Sequence, residues 1–155
     1  MSVSHVKMYM SKFNRNDVME FEQSSATVDD AAKALGVDPD MIAKTMAFYN
    51  EDNSRAILIV TSGLTKISSG KFKRRFGFKP RMIKFEEVEK LTGHQPGGVC
   101  PFVNPEGTAV YLDESLKKHP FVYPACGSPN SAIKLKIEEL VQYANTEAWI
   151  DFTQD

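Results

Sequence analysis

A loop in the second half of the chain combines residue types that could act on a carbonyl group. Residues 93–102 read Gly-His-Gln-Pro-Gly-Gly-Val-Cys-Pro-Phe. The adjacent Gly97 and Gly98 allow the backbone to adopt positive φ and to approach a ligand closely, and Pro101 stiffens the exit from the loop. Such a loop can direct main-chain N–H groups at a developing oxyanion. A tight surface turn has the same composition, so the loop alone leaves both interpretations open.

The same loop carries a thiol and an imidazole. Cys100 would need a neighbouring base or a lowered pKa to act as a nucleophile, and His94 is the base closest to it in sequence. A small buried thiol is the interpretation that we favour. Cys100 and Cys126 are both expected to be free thiols. The three histidines are not spaced as metal ligands, so neither a metal nor another cofactor is expected.

Lys44 is another group that could take part in chemistry. It directly precedes an apolar segment, within the stretch Ile-Ala-Lys-Thr-Met-Ala-Phe. An ammonium at the rim of a cleft can hold a phosphate as a point charge. A solvated cation in the last turn of a short helix is the alternative interpretation. The sequence has none of the common enzyme signatures GxSxG, P-loop, GxGxxG or HExxH.

Positive charge is concentrated in one segment. The chain has 19 lysines and arginines against 20 acids, but residues 66–84 contain eight of these cations and no acid. A block of one sign suits a polyanion such as RNA, bound through its phosphates without sequence discrimination. A solvated basic face without a partner would have the same composition. The candidate RNA contacts are Lys66, Lys71, Lys73, Arg74 and Arg75.

The elements that must position these residues are short and irregularly ordered. Apolar spacing and end signals predict helices at residues 4–13, 28–35, 39–44, 69–76, 85–91, 113–117 and 137–143. Apolar runs between turn residues predict strands at residues 18–22, 45–49, 55–61, 81–85, 109–112, 121–123, 133–135 and 149–152. The strands at 45–49 and 55–61 are expected to form a hairpin around the polar turn 51–54, and the last strand is expected to lie at an edge of the sheet. This order favours an α/β fold with a mixed sheet flanked by helices over a doubly wound parallel sheet.

Two of the predicted helices carry clear end signals. Residues 25–27 offer an N-cap for the helix at 28–35, and Gly36 is expected to end it. Ser68 or Ser69 is expected to cap the basic helix, which Gly77 ends.

Length and composition fit a single domain over residues 1–155. Apolar residues make up 42% and charged residues 25% of the chain, as in an ordinary globular protein. No apolar run approaches eighteen residues, and the N-terminus does not resemble a secretory signal. We therefore expect a cytoplasmic protein that does not bind membranes.

Four motifs in order resemble the YbaK/prolyl-tRNA synthetase-associated domain family. They lie at residues 27–48, 91–102, 110–116 and 122–128. The second motif resembles the GxxxP loop of that family, with Gly97 and Pro101 at its two named positions. The likeness spans roughly residues 17–152.

The resemblance implies a mixed α/β fold with a partly barrel-like central sheet. It also implies a trans-acting deacylase that hydrolyses the ester joining a wrong amino acid to the 3′-terminal ribose of a tRNA. Lys44 is then expected to hold phosphate near the terminal adenosine, while the GxxxP loop positions the ester through its backbone. Water or a substrate group would attack, helped by the neighbouring ribose hydroxyl. The catalytic residues implied in this way are Lys44, Gly97, Gly98 and Pro101.

The substrate contacts are expected to come from the same motifs. The candidates are Thr27, Met46, His94, Val99, Cys100, Gly127, Ser128 and Ser131. Some members of the family have a Ser and an Asp where this sequence has Ala125 and Ala132. Because small pockets separate similar side chains by only about 1–3 kcal/mol, the edited residue stays open among Cys, Ala, Ser and Thr. The expected partners are tRNA and, in addition, an aminoacyl-tRNA synthetase.

Two other functions stay open at this point. The chain could be a non-catalytic tRNA-binding or synthetase-associated module that kept the fold without the chemistry. A thiol hydrolase that depends on Cys100 is a weaker alternative. The intact Lys44 and GxxxP loop favour the deacylase.

Overall fold

The computed structural model describes residues 2–154, so Met1 and Asp155, at the two ends of the predicted domain, lie outside the described residues. Helices α1 to α5 span Ser2–Ser11, Val28–Leu35, Ser69–Phe76, Val88–Thr92 and Ile137–Ala144. Strands β1 to β8 span Met19–Glu20, Ile42–Tyr49, Ala56–Ser62, Ala109–Asp113, Phe121–Pro124, Ser131–Ala132, Leu135–Lys136 and Ala148–Ile150. Short 3₁₀ helices cover Pro39–Met41, Phe85–Glu87 and Glu114–Lys118.

The central sheet is mixed and curls into a half-barrel of six strands in the order β7-β5-β2-β3-β4-β8. Strands β2 and β3 form an antiparallel hairpin that pairs Ala43 with Ser62 and Tyr49 with Ala56. The pairs β2–β5, β3–β4 and β4–β8 are parallel, whereas β5–β7 is antiparallel. This topology confirms the predicted mixed sheet, its hairpin and the position of the last strand at an edge.

Both faces of the sheet are covered, which explains why every residue of β3 is buried. Leu58 and Val60 point into the larger core, which also contains the apolar residues of α1 and α5. Ile57 and Ile59 point to the other face, where Phe72 of the basic helix α3 packs. The basic helix α3 therefore lies on the opposite side of the sheet from the larger core.

The predicted helix ends are confirmed where the signal is local. Thr27 caps α2 by accepting the N–H of Asp30, and Gly36 ends it with φ of 69°. Ser68 caps α3, and Gly77 ends it with φ of 85°. Among residues 2–154, no helix combines the length and apolar character needed to cross a bilayer.

Two predicted elements are wrong, because long-range pairing decides both regions. The helix predicted at residues 39–44 shrinks to Pro39–Met41, and Lys44 belongs to β2, where it pairs with Thr61. The strand predicted at 81–85 contributes only a bridge from Met82 to Phe48. The strand predicted at 133–135 is shifted toward the C-terminus, since β7 spans Leu135–Lys136 and shares Leu135 with the prediction.

Candidate active site

A cavity of about 230 Å³ lies between the start of α2, strand β2, the segment 82–88 and the GxxxP loop. Most of its wall is small and aliphatic: Ala26, Val28, Ala31, Ile42, Ala43, Ala47, Ile83, Val88 and Val99. Its wall also includes Ser25, Thr27, Lys44, Thr45, Met82, Pro96 and Gly97. The cavity therefore brings together Lys44 and the glycine-containing loop, which are 53 residues apart in sequence.

Lys44 is a half-buried cation at this cavity. Its ammonium donates a hydrogen bond to the backbone carbonyl of Thr65. The pKa of Lys44 is lowered, first by burial and then by the charge of Lys66, while Asp40 opposes the shift. Among the described residues its hydrogen-bond acceptor is a neutral carbonyl, so the positive charge is not neutralised by direct pairing with an acid. A partly desolvated cation beside another cation favours the arrival of an anion.

The GxxxP loop needs both of its central glycines. Gly97 has φ of 84°, and a Cβ there would lie 2.9 Å from the Cβ of Ala26. A Cβ on Gly98 would lie 2.5 Å from the Cα of Ser128. The carbonyl of Gly98 accepts the N–H of Gly127 at 2.9 Å. The loop is therefore packed tightly against the 127–128 turn behind it.

The N–H groups of this loop differ in whether they are already used. The Gly98 N–H donates to the carbonyl of Gln95 at 2.9 Å. Within residues 2–154, the N–H groups of Gly97 and Val99 have no hydrogen-bond acceptor, and both residues line the cavity. Two unused donors at a cavity wall can stabilise negative charge that develops on a bound carbonyl oxygen.

Pro101 stands apart from this cavity. It lines a different one, of about 370 Å³, together with Tyr9, Val103 and Tyr143. The GxxxP loop thus forms a wall between two cavities, with Gly97 on one side and Pro101 on the other.

His94 and Cys100 are buried behind the loop. His94 is 1% exposed and Cys100 is fully buried. The Nε2 of His94 lies 2.6 Å from the carbonyl oxygen of Phe102 and 3.4 Å from the sulfur of Cys100. Because a carbonyl oxygen can only accept, Nε2 carries the hydrogen and cannot take a proton from the thiol. The imidazole therefore holds the loop in place instead of activating Cys100.

Burial also works against a reactive thiolate. It raises the pKa of Cys100 to about 12. It lowers the pKa of His94, so the imidazole is neutral at neutral pH. Cys100 and Cys126 are both buried free thiols, as the sequence predicted. Neither cysteine lines the cavity that contains Lys44.

Of the predicted substrate contacts, Thr27 and Val99 line the cavity and the others do not. Met46 faces the other side of the sheet and packs against the cluster around Phe72. The remaining three support the loop from behind: Gly127, Ser128 and Ser131. The hydroxyl oxygen of Ser131 accepts the N–H groups of Cys126 and Ser128 at 3.2 and 3.4 Å.

The candidate RNA contacts differ in how far they are engaged within the protein. Lys71 pairs with Asp151 at 2.9 Å and donates to the Thr153 carbonyl. The Arg75 guanidinium lies over the rings of Phe76 and Tyr111. The others point to solvent: Lys66, Lys73 and Arg74.

The segment 82–88 is the part of the site that the sequence did not reveal. Met82, Ile83 and Val88 form one wall of the cavity, although the first two were predicted to lie in a strand. The structure marks this segment by the contrast between the side chain of Ile83, which is buried, and that of Phe85, which is 76% exposed. An apolar side chain left in solvent next to a buried one often marks a binding surface.

Comparison with known proteins gives consistent results. Residues 22–143 match the family of aminoacyl-tRNA editing domains. The uncharacterised protein YwhH of Bacillus subtilis (strain 168) is 47% identical over 100% of this chain and 99% of its own length. The proline–tRNA ligase of Limosilactobacillus fermentum is 26% identical over 59% of this chain, which corresponds to 17% of the ligase.

Solved structures show the same fold. A protein described as a proposed trans-editing enzyme for prolyl tRNA synthetase superposes with a TM-score of 0.87 and 29% identity, over 99% of this chain and 98% of that one. The hypothetical protein APE2540 superposes with a TM-score of 0.83 and 24% identity, over 96% of this chain and 99% of that one.

Proposed function

Because this chain belongs to the family of aminoacyl-tRNA editing domains, we propose that it is a trans-acting deacylase for tRNA mischarged with a small amino acid. The observation that carries the proposal is the single cavity lined by Lys44, Gly97 and Val99, the last two of which have unused N–H groups. The partners would be the acceptor end of tRNA and an aminoacyl-tRNA synthetase. The likeness to a proposed trans-editing enzyme for prolyl tRNA synthetase supports both.

The cavity wall supports a small amino acid as the group removed. The side chains of Ala26, Val28, Ile83 and Val88 limit the volume beside the loop. A residue such as Ala, Cys, Ser or Thr fits this space better than a large aromatic one. One methylene group in such a cavity changes binding by only about 1–3 kcal/mol, so overlap between these small substrates is expected.

Charge supports the orientation of the RNA. A phosphate near the 3′ end would be drawn to Lys44 and to Lys66, whose charge lies close enough to lower the pKa of Lys44. The exposed Lys73 and Arg74 on α3 would add contacts that do not depend on sequence. Binding of the RNA to these cations would then hold its 3′-terminal ester at the GxxxP loop. This binding supplies the positioning that the reaction needs.

The reaction requires no side-chain nucleophile. A water oxygen bonds to the ester carbonyl carbon, and negative charge develops on the carbonyl oxygen, where the Gly97 and Val99 N–H groups donate. The bond from that carbon to the ribose oxygen then breaks. The ribose oxygen leaves as a hydroxyl after taking up a proton, and the free amino acid departs. Positioning and electrostatic stabilisation together supply the rate enhancement.

The test is release of amino acid from purified tRNAs charged with Ala, Cys, Ser or Thr, including tRNAPro charged with Ala or Cys. Replacing Lys44 by Ala should reduce release by about 100-fold or more, since loss of one preorganised electrostatic contact has effects of about 10²–10³-fold. Lys33→Ala, which removes an exposed lysine on α2 outside the cavity, is the matched control and should retain full activity.

Two results would count against the proposal. Salt-sensitive binding of tRNA without cleavage of any charged tRNA would identify a non-catalytic module. Full activity of the Lys44→Ala protein would remove the role of that cation while leaving the deacylase itself in place.

A further inference from the structure

Two large apolar side chains are exposed at the rim of the cavity. Phe85 is 76% exposed and Met82 is 58% exposed. They belong to the segment whose Ile83 and Val88 are buried and line the cavity wall. Met82 itself contributes to that wall. The exposed ring of Phe85 therefore lies two residues after Ile83 and three residues before Val88, both of which line the cavity.

This segment consists of the bridge at Met82, two residues without regular structure, the 3₁₀ turn Phe85–Glu87 and the first residue of α4, and contacts with β2 hold it in place. The Ile83 N–H donates to the carbonyl of Ala47 at 3.1 Å, and Met82 bridges to Phe48. The hydroxyl of Tyr49 accepts the N–H of Lys84 at 3.2 Å and donates to the carboxylate of Glu87. Strand β2 thus fixes the backbone just before Phe85 and holds the side chain of Glu87 just after it. The ring is presented from a preorganised backbone, which lowers the entropy cost of binding.

The charges around the ring favour a nucleic acid. Lys79 and Lys84 are exposed and belong to the basic segment, and the α3 cations precede them in the chain. Two acids are also exposed here, Glu86 within the same 3₁₀ turn and Glu89 after it. Unpaired RNA bases stack on aromatic side chains while cations contact the neighbouring phosphates. A protein partner could also cover an apolar ring, but nothing about the cavity requires one to approach this rim.

We propose that Phe85, supported by Met82, is a stacking platform for an unpaired base at the 3′ end of the RNA, with Lys84 near its phosphate. The proposal rests on the proposed function, since it places the single-stranded end of a charged tRNA at this rim. The base that precedes or carries the aminoacylated ribose would lie on the ring while the ester enters the cavity. Phe85 is then a positioning residue, because it would touch the RNA and not the reacting carbonyl.

The first experiment measures stacking without any hydrolysis. The probe is an uncharged RNA hairpin with a single-stranded ACCA 3′ end that carries 2-aminopurine at one of its two adenine positions. The wild-type protein should quench the fluorescence at one of these positions, and Phe85→Ala should lose most of that quenching. Phe85→Tyr should restore it. Met8→Ala, which removes a 65% exposed side chain on α1, is the matched control and should behave as wild type.

The second experiment measures deacylation by the same proteins. Phe85→Ala should raise KM for the charged tRNA about tenfold, as expected from loss of one base–aromatic stack, and should leave kcat within about twofold. Phe85→Tyr should restore KM. Because the ring is exposed, Phe85→Ala should unfold at the wild-type temperature.

The outcomes separate this proposal from the proposed function. Quenching that depends on Phe85 without cleavage of any charged tRNA would support the platform and overturn the deacylase. Cleavage with unchanged KM and unchanged quenching in Phe85→Ala would overturn the platform and leave the deacylase. The platform would also be overturned if Phe85→Ala kept RNA binding but lost binding to purified prolyl-tRNA synthetase, because the ring would then be a protein-docking site.

Discussion

The GxxxP loop has one side that faces the cavity and one side that is buried, and the residues that could react are divided between these two sides. The open side faces the cavity with Lys44 and the N–H groups of Gly97 and Val99. The buried side contains His94 and Cys100, which resemble a base and a nucleophile. The residues with the stronger nucleophilic character are enclosed, and those with the weaker character meet the ligand space. Access and protonation state, more than residue type, decide which side can react.

The same contrast appears in the pKa shifts. Burial raises the pKa of Cys100 to about 12, so that its thiolate form is suppressed. Burial also lowers the pKa of Lys44, but that side chain stays half-exposed and keeps access to the cavity. The buried side therefore acts by fixing the loop, and the open side is the one that a ligand can reach.

The largest effect is expected from a substitution that displaces the GxxxP loop from the 127–128 turn behind it. In Gly98→Ala the new Cβ would overlap the backbone of Ser128, which cannot rotate away as a side chain would. We expect deacylation to fall by about 100-fold, because a displacement of 1 Å in a positioning group can cost that much. The measurement is amino-acid release from charged tRNA. In Gly70→Ala the nearest atom to the new Cβ is 3.6 Å away, so that control should keep full activity. Wild-type turnover by Gly98→Ala would show that the loop does not position the ester.

A smaller effect is expected from weakening the buried side alone. His94→Ala should lower the free energy of unfolding by about 2–4 kcal/mol, since it opens a cavity and leaves buried polar groups unpaired. The measurement is urea unfolding at pH 7.5. Ser131→Ala offers a second variant behind the loop, with a smaller expected loss because it removes one hydroxyl.

The pH dependence of the same variant checks the protonation state. Because burial lowers the pKa of His94, the unfolded chain binds a proton more readily than the folded one. This contribution to stability is present above the ordinary histidine pKa of about 6.5 and is lost as the pH falls below it. Wild type should therefore lose more stability than His94→Ala between pH 7.5 and 5.5. Equal losses would mean that the folded protein holds a charged imidazole.

The smallest effect is expected from the thiol. Cys100→Ala should keep deacylation within about twofold of wild type, because a thiol with a raised pKa supplies no thiolate at neutral pH. Iodoacetamide should leave the native wild-type protein active for the same reason. If iodoacetamide rapidly inactivated the wild-type protein but not Cys100→Ala, the prediction would be wrong and Cys100 would have a role in the reaction.

Local signals made much of this fold predictable. Thr27 and Gly36 mark the ends of α2, and Ser68 and Gly77 mark those of α3, because caps depend on residues within one turn. The β2–β3 hairpin was also predicted. Lys44 was assigned to the end of a helix because Asp38 and Pro39 start a helical turn. Pairing with β3 overrides that tendency after three residues.

The site was predictable to the extent that its residues share a local motif. Thr27, Lys44, Gly97 and Val99 were identified from sequence and meet at one cavity. Pro101 belongs to the same motif but lines the other cavity. The wall at 82–88 depends on contacts with β2 from across the chain, and no short pattern encodes such contacts.

The anchoring of Lys44 in a sheet strand and of Gly98 against Ser128 has a consequence for how this site can change over evolutionary time. Ala31 and Val88 shape the cavity but take no part in either anchor. Substitution at these positions can enlarge or narrow the space for the amino acid while the lysine and the loop stay in register. Under the proposed function, such a scaffold would change the amino acid that it removes through a few wall substitutions, while the lysine and the loop stay as they are.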